Sequence, residues 1–593
     1  PELRELEQAL EPELAAHSDR TFQDPGLYAR VRAVYDARES LTPEQQRLAW
    51  VYDNRFRQSG AELDEAARTR VAAINQELSG LYTTFSQNLL ADEEGYVLYL
   101  TTEEELAGLP EGLKTGAAAA AAERGKQGQW AITNTRSSME PFLTFSTRRD
   151  LREKVWRTYY GRGDNGDAHD NNAIITGILK LRAERAKLLG YATHAHLQLS
   201  DTMAKTPENA MALMLRVWPV ATAQAKEEVK ALQKVANAEG AKITIEPWDW
   251  RHYAEKVRRE RYDLDQNAVK PYLQLEKLRE GMFWAAGEMF GWKFQPVDVP
   301  VAHPDIRVWE VVDADGAHRG LWYFDPYARP GKQSGAWMNG YRSQERLASP
   351  VTTIVSNNSN FVKGAPGEAV LVSWDDAETL FHEFGHALHG LASEVTYPSL
   401  SGTSVSRDYV EFPSQLNEYW LSTPEILEKF AVHHETGEPM PQAMLERIEA
   451  ASTFNQGFAT TEYLASALID MKLHLAGDAA IDPDAFEKAE LAKLGMPPQI
   501  VMRHRTPQFG HVFSGDGYSA GYYSYLWADT LTADAAAAFV EGGGYYDQAV
   551  AQRYRDTVLK VGNTVDPAEA WRAFRGRDVS IEPWMKDKGF TKK

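Results

Sequence analysis

Along most of the chain, apolar residues return every three to four positions with polar residues between them, the period of a half-buried helix. The starts of these runs are punctuated. Thr42-Pro43-Glu44, Thr206-Pro207-Glu208, Asp482-Pro483 and Asp566-Pro567 each place a capping side chain before a proline suited to the first helical turn, with Glu569 three residues after Asp566. The alanine-rich run at 116–123 fits a helix and carries no chemistry. The pattern predicts a mainly α protein, and no fixed internal period suggests a solenoid.

Between about 305 and 372 the period changes. IRVWEVVDADGAHRGLWYFD alternates around Asp315-Gly316, a hairpin signal, and VTTIVS and AVLVSW add two short strand-like runs. A small β-sheet is therefore expected immediately before the helix that follows. The DADG at 313–316 does not continue as a calcium loop, which needs a third side-chain ligand before the Gly and a Glu at position twelve.

Composition narrows the chemistry. The 593 residues include no cysteine, so thiolate metal sites, Cys-His nucleophiles and disulfide scaffolds are excluded, and a transition metal must be held by His, Asp and Glu. A formal charge of −20 disfavours nucleic acid or an anionic membrane as partner. No window reaches the apolar length of a membrane span. The densest basic run, RHYAEKVRRER from Arg251 to Arg261, reads as a solvated helix face. The sequence starts at Pro1, so an export signal would lie upstream of it; a cytoplasmic location is expected, with a periplasmic one as alternative.

The stretch SWDDAETLFHEFGHALHG, 373–390, concentrates the candidate chemistry. Asp375 followed by Glu378 resembles a capping box, which predicts a helix from near Asp376 to about Ala392. His382 and His386 are one turn apart, about 6 Å along the axis, so both imidazoles can meet one ion. Glu383 is rotated roughly 100° from His382 and is placed to reach a water on that ion rather than the ion itself. This His-Glu-x-x-His pattern is the zinc metallopeptidase signature. His389 lies about 10.5 Å beyond His382 and is too far to share the ion.

A third ligand must come from elsewhere. Ala392 stands where a metzincin has its third His, and Ser406 stands where a thermolysin-like chain has its Glu. The loop TYPSLSGTS, 396–404, lets the chain reverse into a second helix, RDYVEFPSQLNEYW, which offers Asp408, Glu411 and Glu418. Glu411, Gln415 and Glu418 share one face, and spacing does not choose between Glu411 and Glu418.

Further on, GYSAG at 517–521 matches a nucleophile elbow around Ser519, but HVFSGD before it is a poor strand and no histidine follows the serine. The same segment carries Tyr518, Tyr522, Tyr523 and Tyr525 after a glycine-rich loop. Their phenols suit either aromatic packing or donation to a developing oxyanion.

Taken in order, LFHEFGHALHGL, SGTSVSRDYVEFPSQLNEYW and FSGDGYSAGYYSYLWADTL resemble the thimet oligopeptidase family of zinc metallopeptidases. TMAKTPENA, PWDWRHYAEKVRRERYDLD, HPDIRVWEV and GAWMNG make the likeness closest to its peptidyl-dipeptidase, or dipeptidyl carboxypeptidase, branch. The resemblance covers essentially the whole chain and implies one Zn²⁺ per chain, with Glu411 completing the ligand set of His382 and His386. It implies Glu383 as the catalytic base, with Tyr518, Tyr525 and His511 lining the cleft and the tyrosines stabilising the transition state. Gly335 and Ala336 are implied on a strand edge that pairs with substrate backbone, and Tyr522 against substrate. Arg407, beside the ligand helix, is the candidate anchor for a substrate carboxylate.

The fold so implied has two largely helical sub-domains around a deep narrow channel, with the small sheet next to the His-Glu-x-x-His helix. Residues 1–255 would form one helical wall. Residues 256–593 would hold the sheet, the zinc site and the tyrosine segment, the two halves interleaving. The expected activity is release of C-terminal dipeptides from short peptides by a monomer. An endo-acting oligopeptidase of the same family is the alternative, and a non-catalytic metal-stabilised peptide-binding protein is the reading from another class.

Overall fold

The computed structural model describes residues 2–329, 332, 335–363 and 367–591. The chain is mainly helical, and its contacts divide it into two compact units. The first comprises the chain up to Arg38, Ala49–Arg261 and Phe454–Tyr523; the second comprises Glu39–Leu48, Tyr262–Thr453 and the chain from Ser524 onward.

The proline-marked starts form helices as read. Pro43–Gln58, Pro207–Ala238, Pro483–Lys493 and Pro567–Arg575 all begin there, with Thr206, Asp482 and Asp566 accepting first-turn N–H groups through their side chains. In the first unit, Pro207–Ala238 lies along Gln456–Leu475, and Glu65–Gly95 lies along Asn172–Leu188. A two-stranded antiparallel pair, β1 (Leu98–Leu100) and β2 (Trp130–Ile132), accompanies them.

The chain crosses from the first unit to the second after Arg261, and Phe454–Tyr523 returns to the first. Packing explains the return. Gly457 sits so close to Pro207–Ala238 that a Cβ there would lie 2.4 Å from the Ala225 nitrogen, and Phe458 stacks on the fully buried Trp250. The tyrosine segment up to Tyr523 is carried with it, while Tyr525 belongs to the second unit.

The second unit is built on a five-stranded sheet ordered β3-β4-β5-β7-β6, from β3 (Lys293–Pro296), β4 (Arg307–Val312), β5 (His318–Tyr327), β6 (Trp337–Arg342) and β7 (Thr353–Phe361). All pairings are antiparallel except β5 with β7. The Asp315-Gly316 turn joins β4 to β5, with Gly316 at φ +85° and Asp313 bonded to Arg319 rather than disposed as a cation ligand. AVLVSW does not enter the sheet. Its backbone bonds go to Leu273 and Leu275, at the start of helix Leu275–Phe290, leaving an isolated bridge; β3, which shows no strand signal, takes the sheet's edge instead.

Helix Trp374–Ala392 packs on this sheet, helix Arg407–Leu421 packs on that helix, and helix Ser524–Gly542 packs on Arg407–Leu421 in turn. Phe384, inside the His-Glu-x-x-His segment, faces Phe283 and Trp322 in the aromatic core between helix and sheet.

The basic run 251–261 is a helix, but not a freely solvated one. Arg251 reaches Glu140 at 2.7 Å and Glu462 at 3.4 Å, and Lys256 and Arg259 pair with Glu239 and Glu255. Among the described residues, no helix is long and apolar enough to cross a membrane.

Candidate metal centre

Trp374–Ala392 begins two residues earlier than its sequence suggests. Ser373 is the cap: its hydroxyl accepts from the Asp376 nitrogen, and the Asp376 carboxylate accepts from the Ser373 nitrogen, both at 3.1 Å. Glu378 therefore does not cap the helix; it accepts from the Trp374 indole at 2.8 Å. Burial beside Asp375 and Glu418 pushes its carboxyl up to about 8.

The rest of that helix delivers two imidazoles to one point. His382 and His386 lie with ring centroids 5.0 Å apart and planes at 85°, and one Glu411 oxygen, Oε2, lies 3.3 Å and 3.2 Å from their Nε2 atoms. These three residues place one donor atom each within 4.8 Å of the others. Around a tetrahedral zinc with bonds of about 2.0–2.2 Å, neighbouring donors stand about 3.3–3.6 Å apart, so both observed spacings lie close to a coordination edge. Two imidazoles and one carboxylate leave a fourth position open, and the donor set fits a catalytic zinc.

Two backbones must approach closely for Glu411 to reach that point, and Gly385 permits it. A Cβ at 385 would lie 2.7 Å from the Pro413 carbonyl oxygen and the Ser414 Cα, and 2.8 Å from the Asn417 Cβ. Asn417 then locks the pair by donating to the Phe381 carbonyl at 2.7 Å. On the other side, the Trp322 indole donates to Asn357 Oδ1, and Asn357 Nδ2 donates to the Glu383 carbonyl, both at 2.6 Å. The helix is thus held at main-chain carbonyls from both flanks.

Geometry separates Glu411 from Glu418, which spacing leaves open. Glu411 faces the Nε2 atoms, whereas Glu418 bonds to His382 Nδ1 at 2.7 Å. Asp408 is buried but takes no part in this cluster. Burial opposes charge on both Glu411 and His382, yet their mutual contact outweighs it: Glu411 is held well below the usual carboxylate range and His382 well above the usual imidazole range, Glu418 adding to the latter. Ser414 donates to Glu411 Oε2 at 3.3 Å.

Glu383 is 6% exposed, and its Oε2 is buried without a hydrogen-bond partner. Burial pushes its carboxyl up, partly opposed by His382 and His386. His389 is fully buried, neither ring nitrogen has a partner, and burial lowers its pKa to about 3; it is a neutral core residue.

The remaining candidates are distributed along the chain. Arg407 is the first residue of the Glu411 helix, one turn before that carboxylate. Gln415 Nε2 donates to the Tyr525 carbonyl at 3.3 Å, fixing the backbone of half-buried Tyr525 to the same helix. Gly335 and Ala336 directly precede β6, an edge strand; Gly335 has φ +94°, and its carbonyl accepts from Asn360 at 2.7 Å.

Tyr518, Tyr522 and His511 belong to the first unit. Half-buried Tyr518 packs edge-on to exposed His511 with centroids 5.5 Å apart. Tyr522 is 4% exposed among Phe509, His504 and His511, the surroundings of a core aromatic.

The Ser519 hydroxyl does meet a histidine, His194 Nε2 at 2.8 Å, but His194 Nδ1 has no partner and Gln198 Nε2 also donates to Ser519. With both residues buried and no carboxylate on His194 Nδ1, this pair is a lock on the loop, not a triad. A second lock has no sequence signal. The Asp470 carboxylate accepts the Ala520 and Tyr522 N–H groups at 2.8 Å and 3.0 Å, holding Ala520 at φ +51°.

Helical fold, paired imidazoles, converging carboxylate and adjacent buried glutamate together define a metallopeptidase. The chain belongs to Peptidase family M3, whose family profile matches residues 142–590. It is 40% identical over 598 residues to the dipeptidyl carboxypeptidase of Salmonella typhimurium, covering 100% of this chain and 88% of that protein. Against the dipeptidyl carboxypeptidase of Escherichia coli the identity is 39% over 597 residues, covering 100% and 87%. Oligopeptidase A of Escherichia coli is 34% identical over 609 residues, covering 99% and 88%. The solved structure of PZ peptidase A with an inhibitor shares the fold, with a TM-score of 0.55 at 13% identity over 99% of this chain and 85% of that one.

Proposed function

We propose that this chain is a zinc-dependent peptidyl-dipeptidase, with His382, His386 and Glu411 as metal ligands. The observation that carries the metal assignment is the meeting of one Glu411 oxygen with two Nε2 atoms at 3.2–3.3 Å, close to a tetrahedral edge. The dipeptide register is supported by the similarity to the two dipeptidyl carboxypeptidases.

Bound zinc supplies a Lewis acid and lowers the pKa of a coordinated water toward neutrality. Glu383 takes the proton of the attacking water and returns it to the leaving amine; its unpartnered, buried Oε2 has no competing bond to break. Tyr525 donates to the developing oxyanion from a backbone fixed by Gln415. For Tyr518 and His511 the support is the family resemblance of their segment. The β6 edge beginning after Gly335 and Ala336 offers backbone groups to an extended peptide.

Arg407 is proposed to bind the free C-terminal carboxylate. Two residues of extended peptide span about 7 Å, and one helical turn separates Arg407 from Glu411 by about 6 Å, so an anchor one turn from the metal suits a dipeptide leaving group.

Mass spectrometry of an N-blocked nonapeptide digest tests the reading. Successive loss of C-terminal dipeptides, abolished by amidating the C-terminus, is expected. Internal cuts that persist after amidation would instead establish the endo-acting oligopeptidase reading, which the likeness to oligopeptidase A favours.

A further inference from the structure

We infer that Asp92, Asp167 and His169 form a second divalent-cation site, built wholly within the first unit, that staples the loop between Gly161 and Asn171 to helix Glu65–Gly95.

The loop, GRGDNGDAHDN, joins helix Arg149–Tyr160 to helix Asn172–Leu188. Its two ends are firmly held. Arg162 pairs with Glu93 at 2.6 Å and reaches Gln508 at 3.0 Å. At the far end, Asn171 takes a bond from Asn88 at 3.0 Å and gives one to the Pro507 carbonyl at 3.2 Å. Gly163, at φ +69°, lets the chain pass so close that a Cβ would stand 2.3 Å from that same carbonyl. The middle of the loop, Asp167 to His169, meets the end of the helix through an exposed hydrogen bond from Tyr96 to Asp167.

Asp92 lies beneath it, fully buried near the end of Glu65–Gly95. The carboxylate is used on one side only. Oδ2 accepts the Gly163 N–H at 2.7 Å and the Asn165 amide at 3.0 Å, whereas Oδ1 is buried with no hydrogen-bond partner. A buried carboxylate oxygen without donor or cation is unfavourable. That orphan oxygen faces His169 Nδ1 at 3.9 Å, beyond a hydrogen bond. Burial pushes the Asp92 carboxyl up, as expected for a charge whose compensation is incomplete.

The other two donors are partly set. Tyr96 donates to Asp167 Oδ2 at 2.7 Å, and the His169 N–H donates to Asp167 Oδ1 at 2.8 Å, which fixes the carboxylate beside the imidazole. One donor atom from each of the three residues lies within 4.8 Å of the others. An ion at the centre of such a triangle would stand at most about 2.8 Å from each donor, and a shift of roughly 0.6–0.8 Å per donor reaches bonding distance. Asp167 is exposed and His169 only partly buried, so the loop side can supply that movement while Asp92 stays in place. An imidazole with two carboxylates suits Zn²⁺ or Mn²⁺ better than Ca²⁺, and water would fill the remaining positions.

The test uses the full chain, stripped with chelator and titrated with Zn²⁺, with bound metal counted by mass spectrometry of elements after desalting. Two zinc ions per chain are expected for the unaltered protein and one for Asp167→Asn/His169→Gln. Glu411→Gln separates this site from the histidine pair: it should retain one ion, and Zn²⁺ should still raise its melting temperature. Adding Asp167→Asn/His169→Gln should remove both that ion and the rise. One zinc per chain in the unaltered protein, or two in Asp167→Asn/His169→Gln, overturns the inference. Circular dichroism of each variant confirms that these surface changes leave the helices folded.

Discussion

His382 Nδ1 bonds to the Glu418 carboxylate at 2.7 Å, one helix away, while Nε2 of the same ring faces Glu411. With Glu418 accepting the Nδ1 proton, the Nε2 lone pair is left for a metal, so Glu418 sets the tautomer without touching the ion. His386 has no equivalent partner, since its Nδ1 is buried and unbonded. Ring orientation at this centre therefore depends unequally on the two histidines.

Glu418→Ala should weaken zinc affinity by roughly 10–100-fold, the usual consequence of losing such a partner. Competition with a chromophoric chelator measures it. Unchanged affinity would show that Asn417 and Gly385 position the ring unaided.

Glu383→Gln should keep the metal and lose turnover by at least about 100–10,000-fold, because the amide cannot carry the proton from water to amine. Metal content and kcat are measured on the same preparation. Full activity in the metal-replete variant would sink the assignment of the base.

Asp470→Asn removes one acceptor from the two N–H groups that fix Ala520 and Tyr522. Leaving a buried donor unsatisfied costs about 1–3 kcal/mol, and if Tyr518 has its proposed role, a displacement of ~1 Å there lowers kcat by up to about 100-fold. Zinc content should not change. A melting curve separates loss of stability from loss of turnover, and a variant less stable but fully active would detach Tyr518 from the chemistry.

His252 gives a pH dependence with a definite sign. It is 6% exposed, and its Nδ1–H donates to the Thr144 carbonyl at 3.1 Å. Burial, with Arg152 and Lys256 nearby, lowers its pKa from 6.5 to about 3. Its neutral form is the folded one, so the unfolded chain binds the extra proton between those values. Stability from this residue is full above about 6.5 and falls as pH drops toward about 3, by at most about 1.4 kcal/mol per pH unit. His252→Gln should lose less melting temperature than the unaltered chain between pH 6.5 and 4.5.

Local geometry was the legible part of this molecule. The spacing of His382 and His386 decides that they share a face, and the proline-marked starts decide where helices begin, because each signal is complete within one turn. The orientation of Glu411 against Glu418 depends on how two helices cross, which spacing does not encode. AVLVSW shows a strand pattern but spends its bonds on the start of a helix some hundred positions earlier. For Asp470 the sequence shows at most its neighbour His474 one turn on, because the main-chain N–H groups it holds lie 50 and 52 positions away. The return of Phe454–Tyr523 to the first unit rests likewise on a glycine, Gly457, whose importance lies in what it touches.

Gly385 has the same character, with a larger effect. It holds no metal and offers no side chain to a substrate, yet the hydrogen in place of a methyl group governs whether donors 29 positions apart, His382 and Glu411, can share an ion. Metal uptake is thereby made a report on main-chain assembly. With the proposed ligand set, a refolding chain gathers all three donors only when the two helices close, so the time course of zinc capture would read out the docking of Arg407–Leu421 on Trp374–Ala392.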